Sequence, residues 1–182
     1  MTGTATGHLA VRLAETACVN GPFELPDGRV LDSYFDEYQM AADPHLLHDI
    51  AATMATLIPS DVEVLAGIEL GGVPLVVTLS AVTGLPAAFL RRLPKRYGSK
   101  RQVEGPAVEG QRVALVDDVV RSGEQMLAMA RMLRVAGAPV SDALCVLERP
   151  LGGRLLLDEH GITLRPLLTE ADLLAGTSRA AS

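Results

Sequence analysis

The chain has no tryptophan and only three tyrosines and three phenylalanines in 182 residues. Aromatic platforms on which single-stranded nucleic acid could stack are therefore scarce. A general basic excess is also missing: 16 Lys and Arg stand against 22 Asp and Glu, net −6, which leaves no overall electrostatic footprint for nucleic acid. The two cysteines, Cys18 and Cys145, lie far apart and form neither CxxC nor a metal-type spacing. They read as reduced, buried thiols of a cytoplasmic protein. The first residues, MTGTATGHLA, lack the basic start and apolar core of a secretory signal. No internal repeat or low-complexity stretch is visible. Leu70 to Leu90 carries no charge and is long enough to span a bilayer. Pro74, Gly84 and Pro86 divide it into a helix and a strand, each too short to do so.

What is present is a 48% hydrophobic chain, enough for one domain with a substantial core. It is organised around Arg112–Gln125, RVALVDDVVRSGEQ. The left half is an apolar run of strand formers and the right half opens a helix, with Asp117 and Asp118 at the junction. In an open α/β sheet, ligands settle beyond the carboxyl ends of strands, and a helix N-terminus there offers N–H groups to an anion. Ser122 and Gly123 suit a tight, N–H-rich phosphate loop. The plain alternative is a strand end carrying two solvated aspartates.

Along the chain, His8–Val19 has helical spacing, and Asn20-Gly21-Pro22 reads as its stop. Phe23–Tyr38 carries a turn at Pro26-Asp27-Gly28 between alternating residues, a hairpin or hood-like segment. Asp43 and Pro44 are a good N-cap and first position for a helix whose apolar face runs from Leu46 to Ile58. His45 and His48 on that helix have no third partner at ligand spacing and read as exposed, so no protein metal site is expected. Val62–Ile68 is a buried-type strand, followed by Gly71-Gly72, a helix over Val73–Val82 and a strand over Leu85–Leu90. Arg91, Arg92, Lys95, Arg96, Lys100 and Arg101 then place six cations in eleven residues, a loop that calls for an anionic visitor. A helix with Met126, Met129, Ala130 and Leu133 on one face ends at Gly137. Val140–Leu147 and Ile162–Leu168 are further strands, and the tail GTSRAAS reads as frayed. Strand–helix alternation implies a parallel, doubly wound sheet. The expected division is an N-terminal helix and hood over 1–42, an α/β core over 43–170 and a tail over 171–182.

LVDDVVRSGEQ resembles the phosphoribosyl-diphosphate (PRPP) signature of type I phosphoribosyltransferases. LAGIELGGVPL is similar to the pyrophosphate loop of the orotate branch, RRLPKRYG to its mobile catalytic loop, VLERPLGG to its base-contacting strand end, and FELPDGRVLDSYFDEY to its hood. The likeness covers about residues 8–168 in the right order. It implies an α/β fold, a doubly wound, mainly parallel sheet of the type I phosphoribosyltransferase kind with a small N-terminal hood. It also implies transfer of the 5-phosphoribosyl group from PRPP to orotate, with Mg²⁺ carried by PRPP, and a homodimer. By that resemblance Lys95, Asp117 and Asp118 are catalytic. PRPP is bound by Arg91, Arg92, Lys95, Tyr97, Gly71, Gly72, Asp117, Asp118, Val119, Val120, Arg121, Ser122, Gly123, Glu124 and Gln125, and the base by Arg149, Arg121, Tyr34 and Phe35.

Departures from the family pattern accompany the likeness. Pro26 stands where the hood usually has a substrate-contacting lysine, Tyr97 where the catalytic loop has histidine, and Arg121, Glu124 and Gln125 where the phosphate loop has small residues. A carboxylate at Glu124 facing a phosphate at about 4 Å would cost on the order of 1–4 kcal/mol, which Arg121 could offset from one turn away. Two further functions therefore stay open: a paralogue acting on another nitrogen heterocycle, and a non-catalytic PRPP or nucleotide-binding regulator. A phosphoacceptor receiver domain also pairs aspartates at a strand end, but it leaves Gly71-Gly72 and the basic loop unexplained.

Overall fold

In the computed structural model, which describes residues 2–24, 28, 30–93 and 102–180, six strands form one sheet. They are β3 (Val64–Ile68), β4 (Ala87–Leu90), β5 (Val103–Glu104), β6 (Val113–Val120), β7 (Asp142–Glu148) and β8 (Thr163–Thr169), in spatial order β5-β4-β3-β6-β7-β8. All neighbours run parallel except β4 and β5. Both faces are covered, which is why these strands read as continuous apolar runs. Leu65, Ala114, Val116, Leu144 and Val146 point to one face, under α1 (Thr2–Ala17), α3 (Pro44–Ala55), α4 (Gly72–Thr83) and α7 (Glu170–Ala180). Val64, Ala66, Leu115, Ala143 and Cys145 point to the other, under α5 (Glu124–Val135) and α6 (Gly153–Asp158).

The hood is an antiparallel pair, β1 (Cys18–Glu24) with β2 (Val30–Phe35), followed by the short helix α2 (Glu37–Ala42). Pro26 and Asp27, the expected turn, lie outside the described residues. Asn20-Gly21-Pro22 does not stop the chain: β1 runs through it, and the register shifts between Asn20 and Phe23. A bulge of this kind absorbs the proline that a regular ladder would reject. As expected, Asp43 caps α3, accepting from the N–H groups of His45 and Leu46 at 2.9 and 3.0 Å, with Pro44 at its start.

The tail is not frayed through residue 180. It forms α7, and Gly176 comes so close to α1 that an added Cβ would stand 2.6 Å from the Ala10 carbonyl oxygen. Leu173 shares one buried cluster with Leu9 and Leu13. Among the described residues, no helix is long and apolar enough to cross a membrane.

Candidate active site

The chain leaves β3 for β4 on one side and returns to β6 on the other, so β3 and β6 flank the switch point of the sheet. Ligands bind beyond the carboxyl ends of such a pair. Beyond β3 the turn Glu69–Gly72 enters α4, whose N-terminus has no side-chain cap and leaves N–H groups free. A Cβ on Gly67 would lie 2.5 Å from the Gly72 carbonyl oxygen, so strand and helix meet at backbone distance. At Gly71 the backbone is ordinary right-handed helix (φ −63°, ψ −32°), yet a methyl there would overlap Asp118 Oδ2. Room, and not handedness, demands glycine at this position.

Beyond β3's partner, β6 runs on through both aspartates to Val120, and β7 stays paired with it as far as Val120. Asp117 is therefore held inside the sheet, 8% exposed. Its Oδ1 accepts the Asp118 N–H at 3.1 Å, and Asp118 Oδ1 accepts the Val119 N–H at 2.6 Å. Burial pushes the Asp117 carboxyl well above the usual carboxylate range, the Asp118 charge adds to this, and Arg92 opposes it. Burial also raises Asp118, with the Glu37 charge adding and Arg121 and the Val119 N–H opposing. Such a buried, mutually repelling pair is ready to accept hydroxyl donors and to face developing positive charge.

After Val120, the loop Arg121–Gly123 leads into α5, and Gly123 adopts φ +76° where an added Cβ would also stand 2.9 Å from the Gly153 carbonyl oxygen. Here handedness and closeness both call for glycine. A cavity of about 200 Å³ lies in this cradle, lined by Asp117, Val119, Val120, Arg121, Ser122, Gly123, Gln125 and Met126. α5 again has no side-chain N-cap, so its first N–H groups remain available to an anion. Glu124 does not line the cavity. It is exposed in the first turn of α5, where a carboxylate favours the helix dipole. The expected compensation of Glu124 by Arg121 gives way to another arrangement, in which the Arg121 charge is felt at Asp118 and at Tyr34 of the hood.

Tyr34 is 38% exposed and packs its ring at 6.0 Å from that of Phe23. Phe35 corrects the sequence expectation of two base-facing rings. Strand alternation turns it to the opposite face, where it is 2% exposed in the main core. Arg149, at the end of β7, donates its N–H to the Val120 carbonyl at 2.8 Å and forms an ion pair with Glu170, the first residue of α7. Arg91 and Arg92 leave β4 beside the pyrophosphate-type turn. Lys95 and Tyr97 lie outside the described residues.

Two carboxylates here were missed by the sequence reading. Glu37 reaches the Tyr34 hydroxyl, raises Asp118, and has an Oε2 buried with no hydrogen-bond partner among the described residues. The only local signal was Asp36, which accepts from the N–H groups of Tyr38 and Gln39 and so starts α2 at Glu37. Glu69 accepts the Arg92 N–H at 2.6 Å across 23 residues, and nothing local announces that pairing.

A parallel sheet with an acidic pair at its switch point, a glycine turn on one side and an N–H-rich loop on the other is the arrangement that the resemblance to type I phosphoribosyltransferases implies. The phosphoribosyl transferase domain model matches residues 39–159. Orotate phosphoribosyltransferase of Nocardioides sp. is 39% identical over 170 residues, 93% of this chain and 95% of that protein. Its counterpart from Halobacterium salinarum is 39% identical over 172 residues, 94% and 98% of the two chains. The crystal structure of Mycobacterium tuberculosis orotate phosphoribosyltransferase with Fe(III) dicitrate superposes with a TM-score of 0.86 at 27% identity, covering 93% of this chain and 98% of that one. The chain belongs to the orotate phosphoribosyltransferase family.

Proposed function

We propose that the protein transfers the 5-phosphoribosyl group from PRPP to orotate, giving orotidine 5′-monophosphate and pyrophosphate. The observation that carries this reading is the interlock at the switch point. Asp118 lies directly over the Gly71 turn, while Asp117 borders the cavity of about 200 Å³. One ligand with a ribose between a 5′-phosphate and a pyrophosphate suits that spacing.

In the reaction the C1′–oxygen bond breaks with its electron pair leaving on pyrophosphate, the C1′–N1 bond forms, and N1 gives up its proton. Charge stabilisation and positioning do most of the work, without a covalent nucleophile. Asp117 and Asp118 accept the ribose hydroxyls and face the positive ring. The N–H groups of Arg121–Gln125 hold the 5′-phosphate, with Ser122 adding its hydroxyl, and Gly71 and Gly72 present theirs to pyrophosphate. Arg91, Arg92, Lys95 and Tyr97 close on the leaving group, and Arg149 and Tyr34 meet the base. Among the described residues no three His, Cys, Asp or Glu side chains converge as a metal cage. Mg²⁺ carried by PRPP would take phosphate oxygens and water as ligands and would neutralise charge on the leaving pyrophosphate. A homodimer belongs to the same proposal: Leu70 in the Glu69–Gly72 turn and Leu93 next to Arg92 are 61% and 75% exposed.

Incubation with orotate, PRPP and Mg²⁺ should consume orotate and release pyrophosphate stoichiometrically; no turnover at high protein concentration removes the orotate assignment. A second acceptor is favoured by Glu37, whose anionic side chain disfavours an anionic base and prefers a neutral heterocycle bearing N–H. A panel of nucleobases and small nitrogen heterocycles separates the two.

A further inference from the structure

Glu69 and Arg92 hold each other twice. The Arg92 backbone N–H donates to Glu69 Oε1 at 2.6 Å, and the Arg92 side-chain Nε–H donates to the Glu69 backbone carbonyl at 3.2 Å. Gln102 secures the same stretch from the other side. Its carbonyl accepts the Arg91 N–H at 2.9 Å, and its side-chain amide donates to the Arg92 carbonyl at 3.2 Å. Both main-chain polar groups of Arg92 and its Nε are therefore engaged.

A guanidinium is a planar fork, so fixing Nε fixes the direction in which both Nη groups point. Bonded through Nε to the Glu69 carbonyl, the guanidinium sits beside the turn that leads to Gly71-Gly72, and its charge acts on Asp117. Lysine has no Nε and could not be oriented this way. The Glu69 carboxylate would repel a pyrophosphate on the adjacent Gly71-Gly72 turn; instead its charge is committed to a short, charge-assisted bond with a main-chain N–H.

We propose that Glu69 is a positioning residue that aims the Arg92 guanidinium at the pyrophosphate end of PRPP, joining the pyrophosphate turn and the stem of the basic loop into one unit. This deepens the phosphoribosyl-transfer reading and rests on it. Glu69 itself touches no reacting atom. Its effect passes through Arg92, so its removal should act on pyrophosphate and PRPP and leave the acceptor alone.

The test uses the full chain and its Glu69→Ala, Glu69→Gln, Arg92→Ala and Arg92→Lys variants, together with the Glu69→Ala/Arg92→Ala double variant. Magnesium pyrophosphate binding is measured by calorimetry, and KM separately for PRPP and orotate. Glu69→Ala should weaken pyrophosphate binding and raise KM for PRPP about tenfold, the scale of a misaimed contact, with KM for orotate unchanged. Glu69→Gln keeps an oxygen acceptor for the Arg92 N–H and should stay within about threefold of the parent. The double variant should be no worse than Arg92→Ala, because one side chain acts through the other. Additive losses, or equal losses on both substrates, would overturn the proposal. If Glu69→Ala does not fold, Arg92→Lys carries the test: it keeps the main-chain bond and loses the Nε bond, and unaltered pyrophosphate affinity there overturns the proposal. Parent protein that binds neither PRPP nor pyrophosphate removes the phosphoribosyl-transfer reading and this inference with it. Parent binding with an unaffected Glu69→Ala removes the inference alone.

Discussion

Oδ2 of Asp118 occupies the space into which a side chain on Gly71 would project. Two loops from different strands thus interlock through one carboxylate, and the glycine is there because the aspartate is. Alanine suits the right-handed backbone of Gly71, so Gly71→Ala should fold and displace the Asp118 carboxylate. A displacement near 1 Å at a reacting centre costs up to about a hundredfold in rate. The expected outcome is a loss of kcat/KM between about tenfold and a hundredfold, with a cooperative melting curve retained in circular dichroism. Parent-level turnover would show that Asp118 can move without consequence.

The two raised aspartates set the pH response. Catalysis that needs them ionised should have the acid limb of its kcat/KM profile above the ordinary carboxylate value of 3.8. Glu37→Gln removes a charge that raises Asp118 and should move the limb to lower pH. Arg92→Ala removes a charge that lowers Asp117 and should move it to higher pH. Stability follows the same sign: a carboxyl raised in the folded state stabilises fully below its unfolded value, and that contribution is lost as pH rises through the folded value. Asp117→Asn should flatten this decline in denaturant titrations of the free protein between acid and neutral pH.

Glu37 trades stability for the site. A buried acceptor without a partner costs about 1–3 kcal/mol, and in a chain of this size each kcal/mol moves Tm by about 2–4 °C. Glu37→Met should therefore raise the melting temperature of the free protein, lower KM for orotate and raise KM for a neutral heterocycle bearing N–H. A lower Tm would mean that its contact with the Tyr34 hydroxyl outweighs the unpartnered oxygen.

The closing helix pair is tested at Gly176. Its missing side chain lets α7 approach α1, and Gly176→Val would press two branches into the Ala10 backbone. Overpacking of this kind costs about 1–3 kcal/mol. Melting should drop by several degrees, while kcat/KM at 25 °C stays at the parent value because the contact is remote from the switch point.

The strand–helix alternation, the acidic pair and the glycine turns were legible because each is announced by its neighbours in sequence. Val113–Val116 is apolar on both faces, and Asp117 begins where that run ends. β1 was misjudged at Asn20-Gly21-Pro22, since the same residues that end a helix also form a bulge. The tail was misjudged because Gly176, poor in an isolated helix, is favoured by tertiary contact with Ala10. Phe35 was assigned by likeness, whereas the alternation of β2 decided its face. Glu69 with Arg92, and Arg149 with Glu170, are partners 23 and 21 residues apart, brought together only by the parallel crossovers.

The bonds that Gln102 makes to Arg91 and Arg92 tie the two ends of the basic segment together at its root. Whatever chain runs between them starts and finishes at fixed points, so the entropy of bringing its ends together is offset by the hairpin of β4 and β5 and not by the segment itself. Doubling the length of such a tether costs only about 0.6 kcal/mol. The root thus acts as a socket. Changes of length there have little effect on the folding of the sheet, and Asp117 and Asp118 stay where the strand puts them.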